Sequence, residues 1–238
     1  MLVTHHVHQH RERNQQMNII NRFSGLVIYE GASGMTQRAV LEAAVASRAD
    51  LYGADLSGAN LSRANLSGAN LSRANLSGVN LSGVNLSGAN LSGADLSRAN
   101  LYGADLSGAD LSGVNLSGVN LYGADLSRAD LSRADLSGAD LYGADLSGAD
   151  LSGVKWTAKI VINKRPLQLS GLHWPVTILD AHMQIGCQLH SLHDWEEFDD
   201  AAIVAMGGRE ALHFWRAHKD SLLALARGAE RSFDKVGG

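Results

Sequence analysis

The sequence predicts two kinds of structure in one chain, a repeat solenoid followed by a small α+β domain. The first observation behind this prediction is a Leu that recurs every five residues from Leu51 to Leu151, 21 times without a miss. The second is a change of composition after Trp156, where short alternating apolar stretches and then a long amphipathic pattern replace the repeat. A chain of 238 residues has room for both parts.

The period of the repeat excludes the regular secondary structures. Each pentad reads Ala or Val, Asp or Asn, Leu, Ser or Tyr, and finally Gly or Arg. A period of five fits neither the helical period of about 3.6 nor the strand period of about 2, so neither structure could keep the leucines on one side. A chain that turns a corner in every pentad fits, with Leu and the small residue two positions before it pointing inward. Such coils bury their apolar side chains only by stacking on one another.

Runs such as ADLSGANLSRANLSGAN make the repeat similar to that of the pentapeptide-repeat proteins, whose motif is A(D/N)LXX. The resemblance covers residues 49–153, and the central Leu is present in every pentad. It implies an all-β right-handed quadrilateral β-helix with four pentads per coil, inward ladders of Leu and Ala, and backbone hydrogen bonds between coils. With coils about 4.8 Å apart, the solenoid would have about five coils and a length of roughly 25 Å.

The segment before the repeat is predicted to close the first coil, because an open stack of coils exposes unpaired backbone. Residues 18–48 form this expected N-terminal cap. Two short strands are predicted on either side of Ser24-Gly25. An amphipathic helix is predicted over residues 35–47.

Composition sets the other domain boundaries. The solenoid is assigned to residues 49–156, and Trp156 is expected to close its far end because it is too large for the Leu slot that it occupies. Residues 157–238 are assigned to an α+β C-terminal domain. Residues 1–17 are rich in His and Arg, lack periodicity and are assigned as a disordered lead, which makes Met17 a candidate natural start.

The C-terminal domain is predicted to contain three or four strands followed by helices. Ser191, with Asp194 three residues later, is a predicted helix start. A long amphipathic helix is predicted over residues 209–233, with the following residues in the core: Leu212, Trp215, Leu222, Leu223 and Leu225. The stretches MQIGCQLHSLHDWEEF and FWRAHKDSLLALA resemble a small domain found behind pentapeptide repeats in phage and bacterial proteins of unknown function.

Composition also narrows the classes of function. The net charge of −4 predicts no direct binding of nucleic acid, and no apolar run approaches the roughly 18 residues of a membrane span. The single Cys excludes an intrachain disulfide, which favours a reducing compartment and a cytoplasmic protein. The monotony of the repeat leaves no room for a catalytic constellation, so neither an enzyme nor a bound cofactor is expected.

One cluster in the C-terminal domain has residue types that bind metal or act as nucleophiles. Its spacing is H-x4-C-x2-H-x2-H, formed by His182, Cys187, His190 and His193. Thiolate and imidazole are zinc ligands, but this spacing is not a standard structural-zinc pattern. The other interpretation is a small buried Cys with histidines at a junction of strand and helix. A thiol enzyme would need Cys187 beside His190, with Asp194 orienting the base.

If four pentads make one coil, residues 20 apart lie above one another, and three vertical arrays of candidate binding residues result. They are a tyrosine ladder (Tyr102, Tyr122, Tyr142), a first acidic column (Asp105, Asp125, Asp145) and a second acidic column (Asp110, Asp130, Asp150). Stacked like charges cost stability, and Tyr is favoured at recognition surfaces, so the arrays point to binding. Sequence drift, solubility and aromatic stacking are the alternative explanations.

Two functions remain open for such a chain. The preferred one is a non-enzymatic binding or scaffold protein whose rigid solenoid docks a protein partner, with the C-terminal domain as a second binding or oligomerising element. The alternative is a DNA mimic that inhibits or modulates a DNA-binding enzyme, since some pentapeptide-repeat proteins resemble B-DNA and occupy the DNA groove of DNA gyrase.

The distribution of charge ranks these two functions. Residues 104–153 hold eight Asp and two Arg, a net charge of −6. They would span about 12 Å, over which B-DNA carries about seven charges. Residues 49–103 have no net charge. Only half of the solenoid is therefore DNA-like, which places mimicry second.

Overall fold

The computed structural model describes residues 17–157, 159–169 and 171–234. The predicted disordered lead, residues 1–17, therefore lies outside the described residues apart from Met17. Within the described part of the chain, no helix is both long and apolar enough to cross a membrane.

The first elements are the two strands and the helix expected before the repeat. Strands β1 (Asn18–Ile20) and β2 (Val27–Glu30) pair antiparallel, and helix α1 spans Gln37–Ala46. Thr36 is the N-cap residue of this helix, and its side chain accepts a hydrogen bond from the Ala39 N–H.

Helix α1 lies against the backbone edge of the first coil. The Glu42 carboxylate accepts a hydrogen bond from the Asn65 N–H at 3.0 Å. The Arg38 guanidinium donates to the Ser62 carbonyl at 3.3 Å. On the packing face, Leu41 is fully buried in the same core as the repeat leucines. Two charged side chains of the helix thus bond to backbone groups that have no preceding coil to pair with.

The repeat forms a β-helix with four pentads in each coil. Parallel backbone bridges join residues that lie 20 apart, from Asp55 with Asn75 to Asp135 with Lys155. Each pentad contributes a single bridged residue rather than a strand of several residues. The usual strand signal, alternation of apolar and polar residues, is absent for this reason.

The interior is filled by the ladders of Leu and of Ala or Val that the repeat predicts. No Leu between Leu51 and Leu151 is more than 8% exposed, and most are fully buried. The interior residues are less completely buried at the C-terminal end, where Ala144 is 8% exposed and Trp156 lies half-buried against the core. Because the interior is aliphatic, its stability comes from apolar area removed from water.

A tight turn in every pentad makes the corner. The Leu51 carbonyl accepts a hydrogen bond from the Ala54 N–H at 3.0 Å, and the later pentads repeat this bond. Between them Gly53 has a φ of +65°, the left-handed conformation that the third position of a type II turn requires. Arg63 adopts the same conformation, with a φ of 59°, which is roughly 1–2 kcal/mol less favourable for a residue with a side chain.

After the repeat, the described residues form two small sheets and two helices. Strand β3 (Val154–Lys155) pairs with β4 (Val161–Ile162). A four-stranded antiparallel sheet follows, in which neighbouring strands are consecutive in sequence. Its strands are β5 (Leu167–Leu169), β6 (Val176–Ile178), β7 (His182–Ile185) and β8 (Gln188–Ser191). The helices are α2 (Leu192–Glu197) and α3 (Asp200–Gly228).

The helix starts and ends differ in part from the prediction. Ser191 caps α2 as predicted, with its hydroxyl accepting the Asp194 N–H at 3.0 Å. Helix α3 is interrupted at Gly207 and Gly208, so a helical stretch begins at residue 209 as predicted, and it ends at Gly228 instead of residue 233. The helical turns that precede the Gly pair, from Asp200, are not predicted by the sequence pattern.

That Gly pair breaks helix α3 internally. Gly208 has φ 71° and ψ −160°, a combination that only Gly adopts readily. Further along, Leu222 and Leu223 are buried as predicted. Leu225 is 40% exposed, so its expected place in the core is wrong. The fully buried Ala226 occupies that face, since it follows Leu222 and Leu223 at helical spacing.

The described residues build two hydrophobic cores. One contains the solenoid interior, the buried face of α1, Ile162 and Leu179. The other lies between the four-stranded sheet and helices α2 and α3. In the second core Trp195 donates its indole N–H to the Met183 carbonyl at 2.6 Å.

Candidate docking surface on the solenoid

The Asp or Asn of each pentad completes the backbone hydrogen bonding of its corner. In residues 105–109, the N–H groups of Asp105, Leu106 and Gly108 donate to neighbouring coils, and that of Ala109 closes the turn. The N–H of Ser107 has no backbone partner among the described residues. It donates to the Asp105 Oδ1 at 3.0 Å, an Asx turn. An Asn Oδ1 does the same elsewhere, so the frame accepts either residue.

Asn and Asp differ in whether their side chains can donate a hydrogen bond to the preceding coil. The Asn75 amide donates to the Asp55 carboxylate, one coil earlier, at 3.1 Å, and Asn115 donates to Asp95 at the same distance. A carboxylate has no hydrogen to donate. A column of Asp therefore keeps its backbone bridges but has no side-chain hydrogen bond from one Asp to the next.

The structure places both acidic columns in register. Parallel bridges join Asp105 to Asp125 and Asp125 to Asp145, and they join Asp110, Asp130 and Asp150 in the same way. The two columns occupy successive pentads of the same coils, and together they are called the acidic strip. In the coils before the strip, most of the positions in these two columns are Asn.

At the C-terminal end of the strip, local contacts favour the ionised carboxylate. Hydrogen bonds from Ser147, and then the positive charge of Arg165 at 3.9 Å, hold the pKa of Asp145 below its ordinary value. Hydrogen bonds from Ser152, the shorter at 2.6 Å, lower the pKa of Asp150. Both groups remain charged at neutral pH.

The tyrosine ladder lies beside the first acidic column. Tyr102 and Tyr122 stack with ring centroids 5.4 Å apart and planes 8° from parallel, and Tyr122 and Tyr142 follow at 5.3 Å and 26°. All three remain exposed, by 53%, 41% and 43%. The fourth repeat tyrosine, Tyr52, is two pentads out of phase with the ladder and packs near Phe23 instead, with centroids 6.3 Å apart. Three adjacent coils thus present an open aromatic strip next to a charged one.

The candidate metal ligands of the C-terminal region are not brought together. Among the described residues, no group of three or more His, Cys, Asp or Glu side chains is placed to hold a metal ion. On the β7–β8 hairpin, His182 pairs with Ser191 whereas His190 pairs with Met183. Because successive pairs face opposite sides of a sheet, the two histidines point apart. The strand register, which spacing in the sequence does not reveal, separates them.

The thiol alternative lacks its geometry as well. Cys187 is exposed in the turn between β7 and β8, and its Sγ lies 4.0 Å from the Gln188 Nε2. The His190 ring packs edge-on against Trp195 and Phe198, with centroids 5.3 and 5.0 Å away. Burial lowers the pKa of His190, which keeps it a neutral packing residue. With His193 near the start of α2, these side chains match the interpretation of histidines at a junction of strand and helix, whereas Cys187 is exposed and not buried.

Sequence reasoning missed three features. Glu42 and Arg38 bond to the edge of the first coil, and Lys155 forms an ion pair with Asp135 at 2.7 Å. The repeat itself signals that pair, since Lys155 stands in an Asp slot one coil after Asp135. A cavity in the C-terminal region gave no signal except a high local content of Trp.

The family model of pentapeptide repeats matches in eight copies, over residues 37–73, 47–83, 80–118 and 115–153. A pentapeptide repeat protein from the cyanobacterium Cyanothece 51142 is 37% identical over 41% of this chain and 64% of its own, with a TM-score of 0.35. One from Nostoc Pcc 7120 is 38% identical over 40% of this chain and 82% of its own, with a TM-score of 0.36.

A more distant similarity is to QnrB1, a plasmid-mediated fluoroquinolone resistance protein, which is 28% identical over 42% of this chain and 59% of its own, with a TM-score of 0.19. The chain spans less than two thirds of the length of the Cyanothece protein. No curated protein matches it. Residues 37–153 nevertheless match the family model throughout. The chain therefore belongs to the pentapeptide-repeat family, and its solenoid is a right-handed β-helix.

Proposed function

We propose that this chain is a non-enzymatic, cytoplasmic scaffold protein that docks a protein partner on the tyrosine ladder and the two acidic columns. In this proposal residues 18–48 cap a quadrilateral solenoid over residues 49–156. Residues 157–238 form a separate domain that binds a second partner or a second copy of the chain. The observation that carries the proposal is the stacking of Tyr102, Tyr122 and Tyr142 in the same three coils as the acidic strip.

The ladder has the properties of a recognition surface. Each Tyr is held by its neighbours in the stack, so little side-chain entropy remains to be lost on binding. Each ring still exposes about half of its area, and a Tyr offers both apolar contact and a hydroxyl. An aromatic strip of this kind, placed on a rigid frame, supports tight docking without rearrangement.

The charge beside the ladder indicates the chemistry of the partner. The net charge of −6 over residues 104–153 attracts a basic surface. Arg suits this site better than Lys, because a guanidinium stacks on an aromatic ring and pairs with a carboxylate in a fixed geometry. The expected partner presents Arg side chains spaced by about one coil, roughly 4.8 Å.

A triple substitution tests the proposal. Replacing Tyr102, Tyr122 and Tyr142 with Ser restores the residue that fills most of these slots, so the fold is expected to persist. Partners captured from a lysate by the wild-type chain, identified and purified, should bind the triple variant at least tenfold more weakly. Tyr52→Ser is the matched control, because it makes the same change on another face. Equal loss in the control, or no loss in the triple variant, would exclude the ladder as the docking site.

The acidic strip also favours a second candidate, a DNA-mimicking inhibitor of an enzyme such as DNA gyrase. Replacing Asp105, Asp125 and Asp145 with Asn removes the charge and keeps the Oδ1 that each corner needs. A mimic should inhibit DNA supercoiling by gyrase, and this variant should inhibit it far less. A wild-type chain without effect on supercoiling would leave the scaffold function in place and exclude mimicry of gyrase-bound DNA.

A further inference from the structure

The solenoid path ends in the middle of a coil. The chain follows the path up to Lys155, which bridges to Asp135 one coil earlier. It then reverses, so that Val161 pairs antiparallel with Lys155. In a continued coil Ile160 would stand above residues 139–143, but its N–H and its C=O both bond within the reversal. The corner at residues 139–143, called here the open corner, is therefore the last one on its face.

The open corner has backbone groups that the earlier corners use for stacking. In the earlier coils, the Leu N–H and the following Gly or Arg N–H of a pentad donate to two carbonyls of the next coil, and the Ala or Val carbonyl accepts from it. The Leu141 and Gly143 N–H groups and the Ala139 carbonyl have no such backbone partner among the described residues. Leu141 is also 5% exposed, whereas Leu121 below it is fully buried. An edge of this kind is a template for another strand.

A cavity of about 460 Å³ lies over the open corner. Its other wall is the face of the four-stranded sheet that carries Gln168, Thr177 and Gln184, which pair across strands β5, β6 and β7. Gln168 donates from its Nε2 to the Leu141 carbonyl at 3.0 Å, which ties the sheet to the corner. The cavity has the size of a ligand site. Because one side of it presents unpaired backbone, it suits an extended peptide segment.

We propose that the open corner docks an extended segment of a partner protein by β-strand addition. The segment takes the place of the missing pentad, so the repeat determines its hydrogen bonds. The carbonyls on either side of its central residue accept the Leu141 and Gly143 N–H groups, and the N–H before that residue donates to the Ala139 carbonyl. This surface is at the end of the solenoid, whereas the docking surface proposed above is on its side.

The slots of the pentad also determine the side chains of the segment. A small residue and, two positions later, an aliphatic one cover Ala139 and Leu141, as the ladders do in the earlier coils. The residue between them stands above Asp140, where an Asn amide donates to the carboxylate, as in an earlier pair of coils, and an Asp repels it. An aromatic residue in the next slot extends the tyrosine ladder over Tyr142. The expected segment therefore reads small, Asn, aliphatic, aromatic.

A peptide with this pattern tests the proposal on the full chain. The probe is GVNLYGA with blocked ends, which copies residues 118–124, and its affinity is measured by calorimetry. N-methylation of its Asn removes only the N–H that pairs with Ala139 and should weaken binding by about two- to tenfold, the effect of one neutral hydrogen bond. Gly in place of its Leu should weaken binding by about tenfold or more, because the aliphatic contact is lost. Equal affinities for all three peptides would overturn the proposed register.

Amide hydrogen exchange, followed residue by residue by NMR, locates the bound peptide. The Leu141 and Gly143 N–H groups should exchange at least about tenfold more slowly at saturating peptide than in the free chain. Leu121 and Gly123 are the matched control, because they hold the same positions one coil earlier and already donate to the next coil. Exchange that does not change at Leu141 and Gly143 while the peptide is bound would place it elsewhere and overturn the site.

Thr177→Trp tests the cavity from its opposite wall. Trp fills the space over the open corner and should abolish binding, whereas Thr177→Ser keeps the space and should keep the affinity. Circular dichroism verifies that both variants are folded, and the exchange experiment does not depend on either. Binding that survives Thr177→Trp, or no binding to the wild-type chain at millimolar peptide, would overturn the proposal. A dimer that the peptide dissociates in sedimentation velocity would assign the open corner to a second copy of the chain instead of a partner.

Discussion

The two halves of the solenoid share one frame and carry different surfaces. In residues 49–103 three Asp balance three Arg, and Asn amides link several successive coils. In residues 104–153 eight Asp stand against two Arg, and three Tyr are stacked. The corners, bridges and Leu ladders are the same in both halves. Each corner needs only the Oδ1 of its Asp or Asn, so the charge of the surface can change while the corner stays the same.

The largest expected effect tests whether the interiors of the two halves are equally well packed. Leu71 and Leu121 are both fully buried in the Leu ladders. Replacing either with Ala removes the same buried atoms and leaves the same kind of void. Each change should lower the free energy of unfolding by about 2–5 kcal/mol.

Urea denaturation of the two variants measures this effect. The two losses should be similar, because each Leu is stacked between leucines of the coils before and after it. A much smaller loss for Leu121→Ala would show that the acidic half is already loosely packed, and the shared frame would no longer hold.

The next effect isolates the charge difference on a single face. Asp105→Asn with Asp125→Asn removes two stacked like-charge pairs, Asp105 with Asp125 and Asp125 with Asp145, and preserves both corner hydrogen bonds. Stability should rise at low salt by about 0.2–1 kcal/mol for each pair removed. The gain should shrink as salt rises, because these groups are partly solvated.

The reverse change in the other half is the control. Asn65→Asp with Asn85→Asp lies on the same face and should lower stability at low salt by a similar amount. If neither pair responds to salt, stacked carboxylates in this solenoid do not repel measurably, and the acidic columns need no functional explanation.

A comparable effect concerns the Arg residues at the corners. Arg63 in the first half and Arg128 in the second both have a left-handed φ, 59° and 58°. Replacing Arg63 with Gly should stabilise the chain by up to about 1 kcal/mol, the strain relieved less the greater entropy of Gly in the unfolded chain. Arg128→Gly should gain less at low salt, because Arg128 lies between Asp125 and Asp130 and offsets their charge.

Thermal unfolding at low and high salt separates these two contributions. At high salt the Arg63 and Arg128 variants should gain equally, since screening removes the attraction and leaves the backbone strain. A persistent difference at high salt would mean that the two corners are not equivalent, contrary to their similar φ.

The sequence predicted the repeating part of this fold far better than the unique part. The five-residue period predicted the coil, the corner and the stacking of Tyr102 on Tyr122, because every pentad pairs with the pentads 20 residues before and after it. The region after Trp156 has no such redundancy. The break at Gly208 and the opposite faces of His182 and His190 depend on tertiary packing and strand register, which no local pattern contains. The binding roles of the ladder and the columns remain predictions, since a partner's surface is not encoded in a repeat.

The smallest expected effect concerns Asp135, an Asp of the repeat that forms an ion pair with Lys155. Burial raises the pKa of Asp135, but hydrogen bonds from Lys155 and Ser137 and the charge of Lys155 outweigh it, so the pKa lies below its ordinary value. A carboxyl whose pKa is lower in the folded chain stabilises the fold above its unfolded pKa of about 3.9. That stability is lost as the pH falls through the folded value. Since the side chains of Lys155 and Asp135 are 44% and 29% exposed, solvent screening limits the effect to a few tenths of a kcal/mol.

Lys155→Met should therefore lower the free energy of unfolding slightly at neutral pH, and stability should fall less steeply in acid than it does in the wild-type chain. Urea denaturation at a series of pH values, from neutral to below the unfolded pKa, measures both effects. An unchanged decline would show that the ion pair contributes nothing and that this end of the solenoid depends on its apolar contacts alone.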